Sequence, residues 1–170
     1  MGSLNKKNYG FTLIELLVVV AIIGLLSTLF IAALGTSRNQ AQKTRAKADL
    51  NRIIEAAIMA QGESGKALLK ITGSGCSSCA CSTGKSLVND SSNCYTNWKQ
   101  AITKISDASF YYQDIRNLDR DPWGSPYLLD ENETEGGNCG ADTINSAGTD
   151  SISGTSDDIH MQIPKSGFCP

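Results

Sequence analysis

Histidine occurs once in this chain, proline four times, and aromatic residues make up only 6% of its 170 positions. The single histidine, His160, sits where period-two alternation would turn it outward, and nothing around it suggests a Ser/His/Asp or Cys/His site. The chain therefore reads as a non-enzyme. No proline precedes Pro122, so nothing interrupts a helix across the first two thirds of the sequence. Neither charge sign dominates: the formal net charge is −2, which gives no general electrostatic case for nucleic acid. Cysteine is missing from the amino-terminal part, and all six cysteines follow residue 75, as expected if only the carboxy-terminal part folds in an oxidising compartment. Scarce aromatics in a Gly-, Ser- and Asn-rich remainder imply a small core that needs staples.

Charge is also missing from Phe11 to Leu34, which contains no Lys, Arg, Asp or Pro and one acid, Glu15. As a helix rising ~1.5 Å per residue, this run is long enough for a bilayer core of ~30 Å. Lys6 and Lys7 ahead of it favour a cytoplasmic amino terminus. An acid inside such a helix costs ~2.5–3.5 kcal/mol on insertion scales. Glu15 must therefore either reach the headgroup region or find a cation. Cleavage after Gly10 would supply one, because the freed Phe11 amine of a neighbouring chain could pair with it and fix the axial offset between copies.

The helical pattern continues beyond Gly35. Leu50, Ile53, Ile54, Ala57 and Ile58 recur at three- and four-residue spacing, with Lys47, Asp49, Arg52 and Glu55 on other faces, and Gly62 and Gly65 form the stop. The spacing predicts one helix from about Thr12 to Gln61, with Gly24 and Gly35 as points of unwinding or close packing. A second helix follows, with Trp98, Ile102 and Ile105 on one side. Asp121–Tyr127 reads as a turn, and strands are expected at 127–129, 142–145 and 159–163, with an acidic turn over 130–137. The expected fold class is α+β, a long amino-terminal helix with a small antiparallel sheet packed on its amphipathic half. Segments 1–10, 11–34, 35–61 and 62–170 are the predicted divisions, with a Cys-rich loop at 72–94 and an acidic loop at 146–158.

Lys6-Lys7-Asn8-Tyr9-Gly10 followed by Phe11-Thr12-Leu13-Ile14-Glu15 resembles the processing site of type IV pilins and type II secretion pseudopilins. The resemblance implies that a prepilin peptidase cuts Gly10–Phe11 and N-methylates Phe11. Glu15 then serves recruitment and register during assembly. The implied partners are other copies of the chain in a helical homopolymer, minor pilins, the membrane, and an assembly platform driven by ATP. The implied location is the bacterial inner membrane, then an extracytoplasmic filament. The family usually carries a proline between Gly24 and Gly35, and none is present here.

Three carboxylates on the flexible loop, Asp150, Asp157 and Asp158, would repel one another unless a cation neutralised them, and oxygen-only ligands suit Ca²⁺. A solvated acidic loop is the simpler alternative. The pattern DPWGSPY, DTINSAGTD and a closing DDI resembles the carboxy-terminal region of major pseudopilins, where Ca²⁺ holds this loop to the sheet. That resemblance implies side-chain oxygens from the three aspartates as ligands, and a side-chain or backbone oxygen from Ser146. Cys76, Cys79, Cys81 and Cys94 could form a four-thiolate zinc site, but an even count in an exported, small-core domain favours disulfides. Cys139 is expected to pair with Cys169 and the other four among themselves.

These readings converge on a filament-forming structural subunit, either a surface-pilus pilin or a type II secretion pseudopilin. A monomeric, membrane-tethered, calcium-dependent binding module is the alternative from another class.

Overall fold

A computed structural model describes residues 10–81, 83–133 and 140–167, with the side chains of 28–34 outside the described set. The chain divides into two units between Gln40 and Ala41. Helix α1, Leu13–Ser64, runs through that division without a break. Gly24 and Gly35 lie inside continuous helix, and a β-carbon at either would meet nothing within 4 Å.

In the first unit the described apolar side chains of α1 and of the residues just before it are uncovered. Phe11, Leu13, Leu17 and Leu25 are among them, and Leu13 is 88% exposed. Among the described residues no helix is long and apolar enough to cross a membrane. The expected span, Phe11–Leu34, includes the side chains of 28–34, and the described apolar part alone falls short of the ~20 residues a span needs.

In the second unit, Ala46, Leu50, Ile53, Ala57 and Ala60 step along one face of α1 by three and four residues, and all are fully buried. Ile58, expected on that face, is 42% exposed, because the stripe passes through Ala57 and Ala60 instead. The helix also outruns its predicted end. Gly62 lies within the last turn, and the stop is Gly65, whose φ of +63° lets its N–H close on the Gln61 carbonyl at 2.9 Å.

Helix α2, Leu68–Thr72, and a 3-10 turn, Gln113–Asn117, are short elements that hydrophobic spacing did not foretell. Helix α3, Asn93–Ala108, begins at Ser92, whose hydroxyl accepts the Cys94 N–H, and it buries Trp98, Ile102 and Ile105 as expected. Strands β1 (Leu128–Asp130), β2 (Asp142–Ser146) and β3 (Ile159–Ile163) form an antiparallel sheet in the order β1-β2-β3. The register pairs Leu129 with Ile144 and Ile144 with Met161.

Leu129, Ile144 and Ile163 join the buried face of α1 and the inner face of α3 in one core. Trp98 and Tyr127 meet edge to face there, with centroids 5.8 Å apart. Their polar ends are satisfied: the indole N–H donates to the Leu118 carbonyl, and the Tyr127 hydroxyl donates to Asp49. A second, smaller cluster of Leu87, Cys94, Leu128 and Ala147 lies under the Cys-rich loop.

Candidate functional site

Three places carry the residues singled out from the sequence: the Gly10–Phe11 junction, the acidic loop and the Cys-rich loop. At the junction, Thr12 caps α1. Its backbone N–H donates to Glu15 Oε2 at 2.9 Å, its hydroxyl donates to the same oxygen at 2.8 Å, and the Glu15 N–H donates back to the Thr12 hydroxyl at 3.3 Å. This reciprocal arrangement is a capping box, which ties up N–H groups that the first helical turn leaves without a partner. The T-x-x-E spacing was the available signal for Thr12, whose role the sequence reading passed over. Gly10 and Phe11 are exposed beside it, so the bond between them lies open on the chain. The Glu15 carboxylate thus sits one turn from that bond, on a helix whose neighbouring side chains are apolar and exposed.

The acidic loop leaves β2 at Ser146 and returns at Ile159, a pair matched across the sheet. Asp157 closes it: Oδ2 accepts N–H donations from Thr149 at 2.5 Å and Asp150 at 3.0 Å, and Oδ1 accepts the Thr155 hydroxyl at 2.7 Å. These donors, Thr155 first, hold the Asp157 carboxyl below its ordinary range. Asp158 accepts the Gly154 N–H at 2.8 Å, and Asp150 accepts the Ile152 N–H at 2.8 Å. Gly148 has φ of +69°, and a β-carbon there would lie 2.4 Å from the Asp157 carbonyl oxygen. Ser146, the fourth expected ligand, is buried, and its hydroxyl donates to Asp121 Oδ2 at 2.6 Å. An oxygen-only donor set suits Ca²⁺ chemically. In this structure the loop's own N–H and hydroxyl groups donate to the aspartates, and among the described residues no three His, Cys, Asp or Glu groups gather in one cluster. His160 is exposed, as its strand position implied, with Nε2 3.7 Å from Asp158.

In the Cys-rich loop, Cys76 is bonded to Cys79 and Cys81 to Cys94, so the sulfurs a zinc site would use are bonded to each other. Cys139 and Cys169, the other expected pair, lie outside the described residues. The loop rests on the acidic one through a bridge between Ser86 and Ile152, with the Leu87 N–H donating to the Ser151 carbonyl at 2.8 Å.

Buried carboxylates form a set that the sequence reading did not single out. Glu131 and Glu133, assigned there to an acidic turn, are fully buried. Residues 134–137 of that turn lie outside the described residues. Glu131 accepts the Ser77 N–H at 2.7 Å and the Ser77 hydroxyl at 2.6 Å, and Glu133 accepts the N–H and hydroxyl of Ser166. Asp121 draws the turn together by accepting the N–H groups of Trp123 and Ser125. Asp142 accepts the Glu133 N–H at 2.7 Å. Burial pushes Asp121, Glu131 and Asp142 above the usual carboxyl range, and the hydrogen bonds only partly offset it.

The prokaryotic N-terminal methylation motif matches residues 5–31, which include the junction and the capping box. Type II secretion system core protein G of Klebsiella michiganensis is 31% identical over 164 residues, covering 91% of this chain and 93% of that protein. The core protein G of Escherichia coli K12 is 31% identical over 157 residues, covering 91% of each. No solved structure matches significantly. With a methylation motif on its capped helix start and this likeness along nearly its whole length, the chain belongs to the family of type IV pilins and type II secretion pseudopilins, as a structural subunit of that kind.

Proposed function

We propose that the chain is the major pseudopilin of a type II secretion apparatus, cut between Gly10 and Phe11, N-methylated on Phe11, and polymerised into a helical filament. The observation that carries this reading is Glu15, a carboxylate in the first turn of a helix that otherwise presents uncovered apolar side chains. Such a surface belongs in lipid or against copies of itself, and both settings penalise an unpaired charge. In the precursor Glu15 has Thr12 as partner. After cleavage the Phe11 amine of an adjoining copy becomes a stronger one, which sets the register. The helix anchors the subunit in the inner membrane before assembly and lines the filament core afterwards. Prepilin peptidase and an assembly platform act on it there.

Glu15→Ala and Glu15→Gln, expressed beside the wild type, test this. Both should enter the membrane fraction, and neither should polymerise. The Gln variant keeps an acceptor for Thr12 but not the charge, so filaments from Glu15→Gln would mean that Glu15 acts as a cap and not as an ion-pair partner.

The Cys-rich loop favours a second reading, a surface pilus. Its two disulfides and polar surface suit exposure outside the cell. Labelling of intact cells with a membrane-impermeant reagent separates the two, because a surface pilus is labelled and a periplasmic pseudopilus is not. For the 146–158 loop we propose closure by hydrogen bonds to Asp157 in place of a cation.

A further inference from the structure

The two disulfides of the Cys-rich loop are unlike. Cys81–Cys94 spans a separation of 13 residues, and Cys94, 1% exposed, is packed with Leu87, Leu128 and Ala147. Cys76–Cys79 spans only 3 residues, Cys79 is exposed, and Cys76 is half-buried. A short loop loses less chain entropy to its crosslink, so the second bond contributes less to the fold.

Its backbone is moreover held without it. The Ser77 N–H and hydroxyl are fixed to buried Glu131, the Ser78 N–H donates to the Leu129 carbonyl at 2.8 Å, and the Cys81 N–H donates to the Ser78 carbonyl at 2.8 Å. The Ser78 hydroxyl lies 3.8 Å from Cys76 Sγ. Cys76, Cys79 and Ser78 line an open hollow together with Asn145, whose buried Oδ1 has no hydrogen-bond partner among the described residues.

We propose that Cys76–Cys79 is a thiol–disulfide exchange site, opened by the dithiol of a partner protein while Cys81–Cys94 stays closed. The partner's thiolate attacks exposed Cys79 Sγ and forms a mixed disulfide. The electron pair of the broken S–S bond leaves on Cys76 Sγ, toward which the Ser78 hydroxyl can donate, and that thiolate then takes a proton from solvent. The partner's second thiol, deprotonated, attacks its own sulfur in the mixed disulfide and releases Cys79, which is protonated in turn. The partner dithiol ends as a disulfide, and Cys76 and Cys79 as two thiols. Asn145 Oδ1 is an acceptor for a peptide N–H of the partner chain seated in the hollow.

The test uses the full chain in detergent, incubated with graded dithiothreitol, alkylated, and mapped by peptide mass. Cys76 and Cys79 should become alkylated at a reductant level at least about tenfold below that needed for Cys81 and Cys94, at unchanged thermal midpoint. Joint reduction of the two pairs, or resistance of Cys76–Cys79 until the protein unfolds, overturns the proposal. With the monothiol glutathione the adduct should sit on Cys79, leaving Cys76 free for alkylation, and an adduct on Cys76 overturns the order of attack. Ser78→Ala should slow the exchange several-fold without moving the thermal midpoint, and an unchanged rate removes Ser78 from the site.

Discussion

Removing Cys81 and Cys94 together, as the double alanine variant, should be costly. The bond closes a loop with a sequence separation of 13, for which the chain-entropy account gives about 3 kcal/mol of stabilisation through the unfolded state. Cys94 is also buried in the smaller core cluster, so its truncation thins the packing under the loop. In a domain of this size ~1 kcal/mol moves the midpoint by about 3–4 °C, so a fall of about 10 °C is expected. Helix α3 starts at Asn93, directly before the crosslink, and the loop it ties down carries the Ser86–Ile152 bridge. Susceptibility to proteolysis should therefore rise around residues 83–92 and 149–153 together. Thermal unfolding followed by circular dichroism, with limited proteolysis mapped by mass, reads both. A midpoint within 2 °C of the wild type would refute the reasoning, because the crosslink would then constrain nothing in the unfolded chain that other contacts do not.

Gly148→Ala should destabilise the head by about 1–3 kcal/mol, since φ is +69° and the new β-carbon would lie 2.4 Å from the Asp157 carbonyl oxygen; thermal unfolding checks it. Asp121, Glu131 and Asp142 have raised folded values, so their contribution is fully present below the unfolded carboxyl range and is lost as pH rises through the folded values. Asp157 is lowered, so its contribution is present above the unfolded value and lost as pH falls through the folded one. Glu131→Gln should therefore gain stability relative to wild type between pH 5 and 8, as denaturant titrations at several pH values will show. Because Asp157 already takes its donors from the loop, adding calcium or EGTA should leave the thermal midpoint unmoved, and a saturable rise with calcium would restore a cation to that loop.

Much of this was legible in the sequence because it is written locally. A proline-free stretch with apolar residues at helical spacing gives α1, the Trp98, Ile102, Ile105 spacing gives α3, and alternation in 159–163 gives β3. Short elements escaped for the opposite reason. Helix α2 has five residues and an alanine at its amino end with no side-chain cap, so neither periodicity nor capping marks it. Burial of Glu131 and Glu133 was illegible because their donors lie 54 and 33 residues away, at Ser77 and Ser166, and an acid-rich run read alone looks like a solvated turn. The bond from the Ser146 hydroxyl was illegible for a similar reason: its partner, Asp121, belongs to a turn 25 residues upstream. The even count of cysteines favoured disulfides, and the four of the 72–94 loop were expected to pair among themselves, but only the fold shows which pairs form, which bond is buried and which is open.

The most direct measurement is the mass and sequence of the amino-terminal peptide of the protein recovered from its native filament. The account predicts a chain that begins at Phe11 with a methylated α-amine and lacks residues 1–10. A polymerised chain that still carries Met1, or one that begins elsewhere than Phe11, would contradict it.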